Sequence, residues 1–277
     1  MQKRNCKLKT AVDREERFDF GENWTEYSTL IDPARIAEAE QSLVTMFQVS
    51  DLIGKSFLDV GCGSGIFSLA AKNLGAEVFS FDVDLNSVSC TRELKISHHK
   101  NDDNWKIKSG SVLDQEFIRE VGQYDFVYCW GVAHHTGAMM KAFQNLSKLV
   151  NEGGQLFLAV YNDQGILSKY WTLVKRCYVK YRISRPLIIL THIFTLLLPS
   201  LVIRKIRGTN VPRGMSAWYD LIDWLGGFPF ETSTVKNVFD FFQRKGFELK
   251  NINTVAGKMG CNEFVFFKPT TRMVLDD

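Results

Sequence analysis

Between Gln164 and Tyr219 the chain has no aspartate or glutamate, while ten lysines and arginines fall in the same stretch. With a formal net charge of +3 for the whole chain, the remainder carries −7. This pattern excludes a protein that is basic over its whole face and coats nucleic acid. It leaves one local segment as the surface for an anionic partner. CxxC pairs are also missing: Cys6, Cys62, Cys90, Cys129, Cys177 and Cys261 are scattered, several of them in apolar runs that suit a small buried thiol. A reduced, cytoplasmic setting is the expectation. The opening "MQKRNCKLKTAVDREERF" lacks the apolar core of a signal peptide, so secretion is not expected. There is no internal repeat, no low-complexity tract, no HExxH and no cysteine cluster, and no metal is expected.

What the chain does have is size and rhythm. Its 277 residues, 45% of them apolar, can bury the core of one large domain or two small ones. From Ser56 to Tyr161 strand-length apolar runs alternate with helical patterns, the signature of βαβ units and a parallel sheet. Strands are predicted at "FLDV", "EVFSFD", "WKIKSG", "YDFVYCW" and "GQLFLAVY". Helices are predicted at 65–74, 86–96, 114–121 and 138–150. A later helix, "STVKNVFDFFQRKG", precedes strand candidates "FELKNINTV" and "NEFVFFK". Upstream, Asp32-Pro33 reads as an N-cap with proline at the first helical position. Ile36, Ala39, Leu43 and Phe47 follow at helical spacing.

The first strand runs into Gly61-Cys62-Gly63-Ser64-Gly65 and then a helix. Such a turn has few Cβ atoms, so a ligand can lie against its backbone. The spacing is GxGxG, without the later glycine of the GxGxxG dinucleotide fingerprint, and GxxxxGK[ST] is absent. The second strand ends in Asp82, a carboxylate suited to accept from both hydroxyls of a ribose.

"LDVGCGSG", Asp82, "SGSVLD" and "YDFVYCWGVAHHTG", in that order, resemble the class I S-adenosylmethionine (SAM)-dependent methyltransferases over about residues 56–161. The resemblance implies an α/β fold: a Rossmann-like, seven-stranded, mostly parallel sheet with an antiparallel last strand and helices on both faces. The implied division is an N-terminal helical cover (1–50), a SAM-binding core (51–161), a basic and apolar cap insertion (162–231) and a C-terminal helix with strands completing the sheet (232–277). It implies SAM as cofactor and S-adenosylhomocysteine (SAH) as product. Asp59, Gly61, Gly63 and Gly65 would face the methionine end, Asp82 the ribose, and Gly110 with Ser111 the adenine. Cys129 and Trp130 would sit at the mouth of strand four, although Cys62 and Cys129 also read as small buried residues. Within the superfamily the likeness is greatest to small-molecule O-methyltransferases such as those of ubiquinone biosynthesis, and to bacterial glycan or natural-product relatives. His134 departs from the ubiquinone enzymes, which tend to carry an acid there.

If the acceptor is a hydroxyl, its proton needs a base, and a histidine just past strand four is one candidate. His134 and His135 point differently on any regular element, and His135 is the preferred member of the pair. Capping a helix or bonding a backbone carbonyl is the other reading. Within "RGMSAWYDLIDWLGGFPFE", Arg213, Asp220 and Asp223 would grip a polar acceptor with Trp218 and Trp224 as apolar walls, or the acids are solvated and the tryptophans core. Trp24 and Tyr27 would fold over the cofactor, or simply pack.

The basic insertion carries Leu167, Tyr170, Trp171, Val174, Tyr178 and Tyr181 on one helical face, with Lys169, Lys175, Arg176 and Lys180 mainly away from it. "PLIILTHIFTLLLPSLVI" follows. A single span would strand the last helix and strands across the bilayer, which leaves two readings: an apolar cap over the site, or an interfacial element of 164–207 on anionic lipid. These coexist if the acceptor is lipid-linked. The predicted activity is O-methylation of a small-molecule, saccharide or lipid-linked acceptor by a protein that is cytoplasmic or peripheral to a membrane. An RNA or protein methyltransferase using the basic segment and a non-enzymatic SAM-binding regulator are the alternatives. Nucleic acid is disfavoured, because neither an Asn/Asp-Pro-Pro-aromatic tetrapeptide nor a Pro-Cys nucleophile is present.

Overall fold

The structure is a computed structural model describing residues 31–199, 201 and 217–270. Seven strands form its sheet: β1 (Ser56–Val60), β2 (Glu77–Asp82), β3 (Trp105–Ser109), β4 (Tyr124–Trp130), β5 (Val150–Tyr161), β6 (Glu248–Asn253) and β7 (Cys261–Phe267). Their order is β3-β2-β1-β4-β5-β7-β6. The first five pair in parallel, and β7 runs antiparallel to both β5 and β6. The chain order reverses between β1 and β4, which opens a crevice at the carboxyl ends of those strands.

Period-two alternation divides the interior into two cores. Phe57, Val78, Trp105, Phe126, Tyr128, Phe157 and Val265 project to one face, beneath α1 (Pro33–Phe47), α2 (Ile66–Asn73) and α3 (Leu85–His99). Leu58, Val60, Val127, Cys129, Leu156 and Leu158 project to the other. There they meet α5 (Met139–Lys148) and α9 (Val235–Gln243), with α4 (Gln115–Val121) alongside. Phe47 anchors α1, its ring standing edge-on to Phe126 at 5.0 Å and Phe157 at 5.7 Å.

Local chemistry sets the helix boundaries. The Asp32 carboxylate accepts from the Arg35 N–H at 2.9 Å and Pro33 opens α1. Asp84 caps α3 and Asp114 caps α4 in the same way. The helix expected to reach Val150 stops at Lys148, because Val150 already pairs with Tyr124 and begins β5.

Between β5 and α9 lie α6 (Ile166–Lys180), α7 (Arg185–His192) and α8 (Ala217–Gly226). Trp171, Tyr178, Val179, Leu221, Leu225 and Phe230 form a third apolar cluster that seats these helices above the sheet end. The expected helical face is corrected here. Lys175 is fully buried on the packed side, whereas Leu167, Tyr170 and Tyr181 are exposed. Its ammonium donates to the Trp224 carbonyl and lies 4.1 Å from the Trp224 ring centroid and 4.8 Å from that of Phe230. Aromatic faces and a helix C-terminal carbonyl thus accommodate a charge that periodicity alone assigned to solvent.

Candidate active site

The turn after β1 explains its glycines without any ligand. Gly61, Gly63 and Gly65 have φ of 74°, 53° and 83°, in the left-handed region. A Cβ on Gly61 would stand 2.3 Å from Val132 Cγ2, and one on Gly65 2.9 Å from Thr91. The close approach therefore begins with the protein itself: the loop after β4 and helix α3 fill the space that side chains would take. The turn is tied to β2, since the Gly61 and Cys62 amides donate to the Phe81 carbonyl at 2.8 and 3.1 Å.

Asp82 ends β2 beside this turn. Its Oδ2 accepts from the Gly63 amide at 3.0 Å and its Oδ1 from the Asp84 amide at 2.9 Å. Burial raises its pKa to about 6 against those amides, so it is largely ionised at neutral pH. Asp59 is more deeply set, 2% exposed, and burial raises it to about 7 despite a hydrogen bond from Ser68. Gly110 and Ser111 follow β3; the Gly110 amide bonds the Asp82 carbonyl at 2.9 Å, and a Cβ there would strike the Phe117 ring at 2.2 Å.

One cavity of about 600 Å3 gathers Asp59, Gly61, Gly63, Asp82, Gly110, Ser111, Trp130, His134 and His135 along its wall. Gly65 and Cys129 are not on that wall. Gly65 begins α2. Cys129 is corrected by strand alternation: Tyr128 and Trp130 lie on the α1 face, while Cys129 is 0% exposed in the opposite core, where burial pushes its thiol up to about 12. Five carboxylates, Glu38, Asp59, Asp82, Asp84 and Glu263, line the cavity among the described residues, against Arg35, which pairs with Asp32. This wall favours a cationic ligand and opposes a polyphosphate. A glycine turn short of side chains, an acid at the end of β2 and an acidic wall fit SAM, whose sulfonium and ammonium are cations.

The second half of the cavity is aromatic, with Tyr161, Trp224 and Phe228 beside the histidines. His134 and His135 occupy a short 3-10 turn, Ala133–His135, directly after β4. His135 Nδ1 is 2.7 Å from the Pro229 carbonyl oxygen. That oxygen only accepts, so Nδ1 carries the proton and Nε2 the lone pair. Burial, reinforced by the Lys175 charge, lowers the His135 pKa to about 3. His134 is fully buried against the Tyr161 ring at 4.0 Å, and burial with the neighbouring His135 and Lys175 holds it well below the usual histidine range. Neither of its ring nitrogens meets hydrogen-bond geometry.

Trp24, Tyr27 and Arg213 lie outside the described residues, as do the side chains of Trp218, Asp220 and Asp223 on α8. Sequence reasoning singled out the block ending at Glu231 but not Pro229 and Glu231 themselves, which hold the histidines. The Glu231 amide donates to the His134 carbonyl at 2.9 Å, and the Glu231 carboxylate accepts from the Met139 amide at 3.0 Å at the start of α5. Glu263 was missed as well; it accepts from the Trp130 indole at 2.8 Å. The clustering of "GGFPFE" was the available signal for the first, and only the antiparallel register of β7 reveals the second.

A family described as a methyltransferase domain matches residues 30–199. The ubiquinone biosynthesis O-methyltransferase of Glaesserella parasuis is 29% identical over 48% of this chain and 54% of its own length. That of Burkholderia ambifaria is 29% identical over 58% and 66%. The chain spans about half the length of the first of these relatives. Among solved structures, the magnesium protoporphyrin IX methyltransferase of Synechocystis with bound SAH is similar in fold, with a TM-score of 0.52 and 14% identity over 84% of this chain and 83% of that one. An O-methyltransferase family protein from Burkholderia thailandensis has a TM-score of 0.53 and 10% identity over 90% and 60%.

Proposed function

Because the chain belongs to the class I SAM-dependent methyltransferases, we propose that it methylates a hydroxyl of a small-molecule, saccharide or lipid-linked acceptor, with His135 as the base. The observation that carries this is the His135 Nδ1 to Pro229 oxygen contact of 2.7 Å, which fixes the neutral tautomer of a histidine lining the aromatic-walled cavity that also holds Asp59 and Asp82. When bound, SAM supplies an electrophilic methyl group on a sulfonium. The glycine turn and Asp59 hold the methionine end, Asp82 the ribose, and Gly110 with Ser111 border the adenine; Trp130 stands where the two halves of the cavity meet.

A histidine with a pKa of about 3 is a weaker base than an exposed imidazole. It does not need to remove the hydroxyl proton first. As the new carbon–oxygen bond forms, the acceptor oxygen becomes far more acidic, and its proton then passes downhill to Nε2. The ubiquinone biosynthesis O-methyltransferases that the chain resembles support an oxygen acceptor. The test is a comparison of metabolites in cells with and without the protein. A hydroxyl compound that gains a methyl group only with the active protein, and not with His135→Ala, supports the reading. Methylation confined to nitrogen, RNA or protein overturns it.

An anionic membrane surface is the second reading, favoured by the cap. Ile183 is 94% exposed and Leu187 69%, with Ile166, Leu173 and Phe194 also open to solvent. Exposed Lys169, Arg176, Lys180 and Arg182 stand among them. Apolar residues ringed by cations suit an interface of acyl chains and anionic headgroups. Among the described residues, no helix is long and apolar enough to cross a membrane. An acceptor delivered from that surface would be lipid-linked.

A further inference from the structure

Behind Asp59 runs a line of buried polar side chains that the cavity does not touch. Ser68 Oγ on α2 is 2.5 Å from Asp59 Oδ2. It is also 2.7 Å from Ser80 Oγ on β2, and Ser80 Oγ in turn accepts from Trp105 Nε1 on the edge strand β3 at 2.9 Å. Ser68 and Ser80 are 0% exposed and Trp105 is 1% exposed. Four side chains from β1, α2, β2 and β3 thus make a polar path through an otherwise apolar core.

The path has a direction, because each serine owns one proton and the indole N–H only donates. Trp105 must donate to Ser80 and an ionised Asp59 must accept the one Ser68 proton, so the bond between the serines carries the Ser80 proton. Reversal, with a protonated Asp59 donating to Ser68, would have Ser80 accept from both Ser68 and Trp105 and leave the buried Ser80 proton with no acceptor along the line. A donor-only group at the far end therefore holds the near end as an acceptor.

We propose that Ser68, Ser80 and Trp105 are positioning residues forming a one-way hydrogen-bond chain that keeps Asp59 an oriented acceptor for the cationic methionine end of the cofactor. This rests on the reading of Asp59 given above. The chain opposes the burial that raises Asp59 to about 7. The ionisable groups around Asp59 are Asp82 on β2, Tyr128 paired with it on β4, Cys62 in the turn and Cys129 on β4, with Arg35 and Glu38 of α1 on the same cavity. Both thiols are pushed above their ordinary range and stay neutral near pH 7. Burial also raises Asp82, to about 6, and expressing each variant against wild type at the same pH removes its contribution.

The test is SAH titration calorimetry of the full chain between pH 6.5 and 8.5, each variant expressed as a ratio to wild type at the same pH so that the ligand's own titration cancels. If losing the Ser68 donor lifts the Asp59 midpoint by about one pH unit, Ser68→Ala binds SAH roughly 5-fold more weakly at pH 7 and only about 1.3-fold more weakly at pH 8.5. Ser80→Ala and Trp105→Phe should show the same trend, smaller. Carbon-13 NMR titration of the Asp59 carboxyl should show its midpoint rising in the same order. A loss in Ser68→Ala that does not vary with pH, together with an unmoved Asp59 midpoint, overturns the chain, since a merely structural defect would look like that. Asp59→Asn separates the underlying reading: if it leaves SAH affinity unchanged while the Asp59 midpoint still moves in Ser68→Ala, the chain stands and the cofactor role of Asp59 falls.

Discussion

Replacing Gly61 with alanine isolates what the glycine turn is for. Two costs follow from the coordinates. The residue sits at φ 74°, where an L side chain costs about 1–2 kcal/mol. Its new Cβ would also lie 2.3 Å from Val132 Cγ2, more than 1 Å inside ordinary contact, so the β4 loop must move, at about 1–3 kcal/mol for overpacking. Gly61→Ala should therefore lose roughly 2–5 kcal/mol of stability in urea unfolding. Gly246→Ala, in the turn that closes α9, is the control: φ is 80° but no atom lies within 4 Å, leaving only the backbone term, roughly 1–2 kcal/mol. Adding Val132→Ala to Gly61→Ala should recover most of the difference, because it removes the colliding methyls. SAH affinity should fall in Gly61→Ala, since Val132 and Gly61 both line the cavity. If Gly61→Ala is no more destabilised than Gly246→Ala and binds SAH like wild type, the account of this turn is refuted.

Asp82→Asn should weaken SAH binding about 10–100-fold at pH 7.5, the worth of one or two hydrogen bonds to a charged acceptor. Since the Asp82 pKa is raised to about 6, wild-type affinity should fall as pH drops through 6 and the carboxylate takes up a proton; calorimetry should find that dependence absent in Asp82→Asn. His135→Ala should cut turnover by about 10²–10⁴-fold while leaving SAH affinity near wild type. With its pKa lowered to about 3, His135 stays neutral from pH 8 down to 5, so turnover should show no loss near pH 6.5 that this residue causes; a limb there abolished by His135→Gln would contradict the assignment. Anionic vesicles of phosphatidylglycerol should sediment the protein at low salt, and Ile183→Glu with Leu187→Glu should release it without changing SAH affinity; equal sedimentation with neutral vesicles would count against the role of the cations.

Local chemistry made much of this molecule legible. Asp32, Asp84 and Asp114 announce helix starts whose geometry follows from one side chain and the next few amides, and strand alternation around Phe57, Leu58 and Asp59 already assigns faces. Cys129 shows alternation deciding between two readings, the strand mouth and a small buried residue: its neighbours Tyr128 and Trp130 take the cavity face and force it to the other. Residues whose roles depend on distant partners were hidden. Pro229 matters because its carbonyl meets a histidine 94 residues earlier, and Glu263 because β7 pairs backwards against β5. Lys175 marks the limit of periodicity, which sorts residues by hydropathy and so placed a lysine in solvent. Burial of that lysine depends on whether a fixed acceptor and aromatic faces can replace water. The Trp224 carbonyl at a helix end and the rings of Trp224 and Phe230 supply both, and all three come from sequence about fifty residues away. The same substitution of protein dipoles for water appears at Asp59, where Ser68, Ser80 and Trp105 replace solvent around a buried carboxylate. A cation held by Trp224 and Phe230 and an acid held by Ser68 are both built from tertiary contacts, which is why the motif at Gly61 pointed to the family while the groups around the cavity that tune it needed the fold.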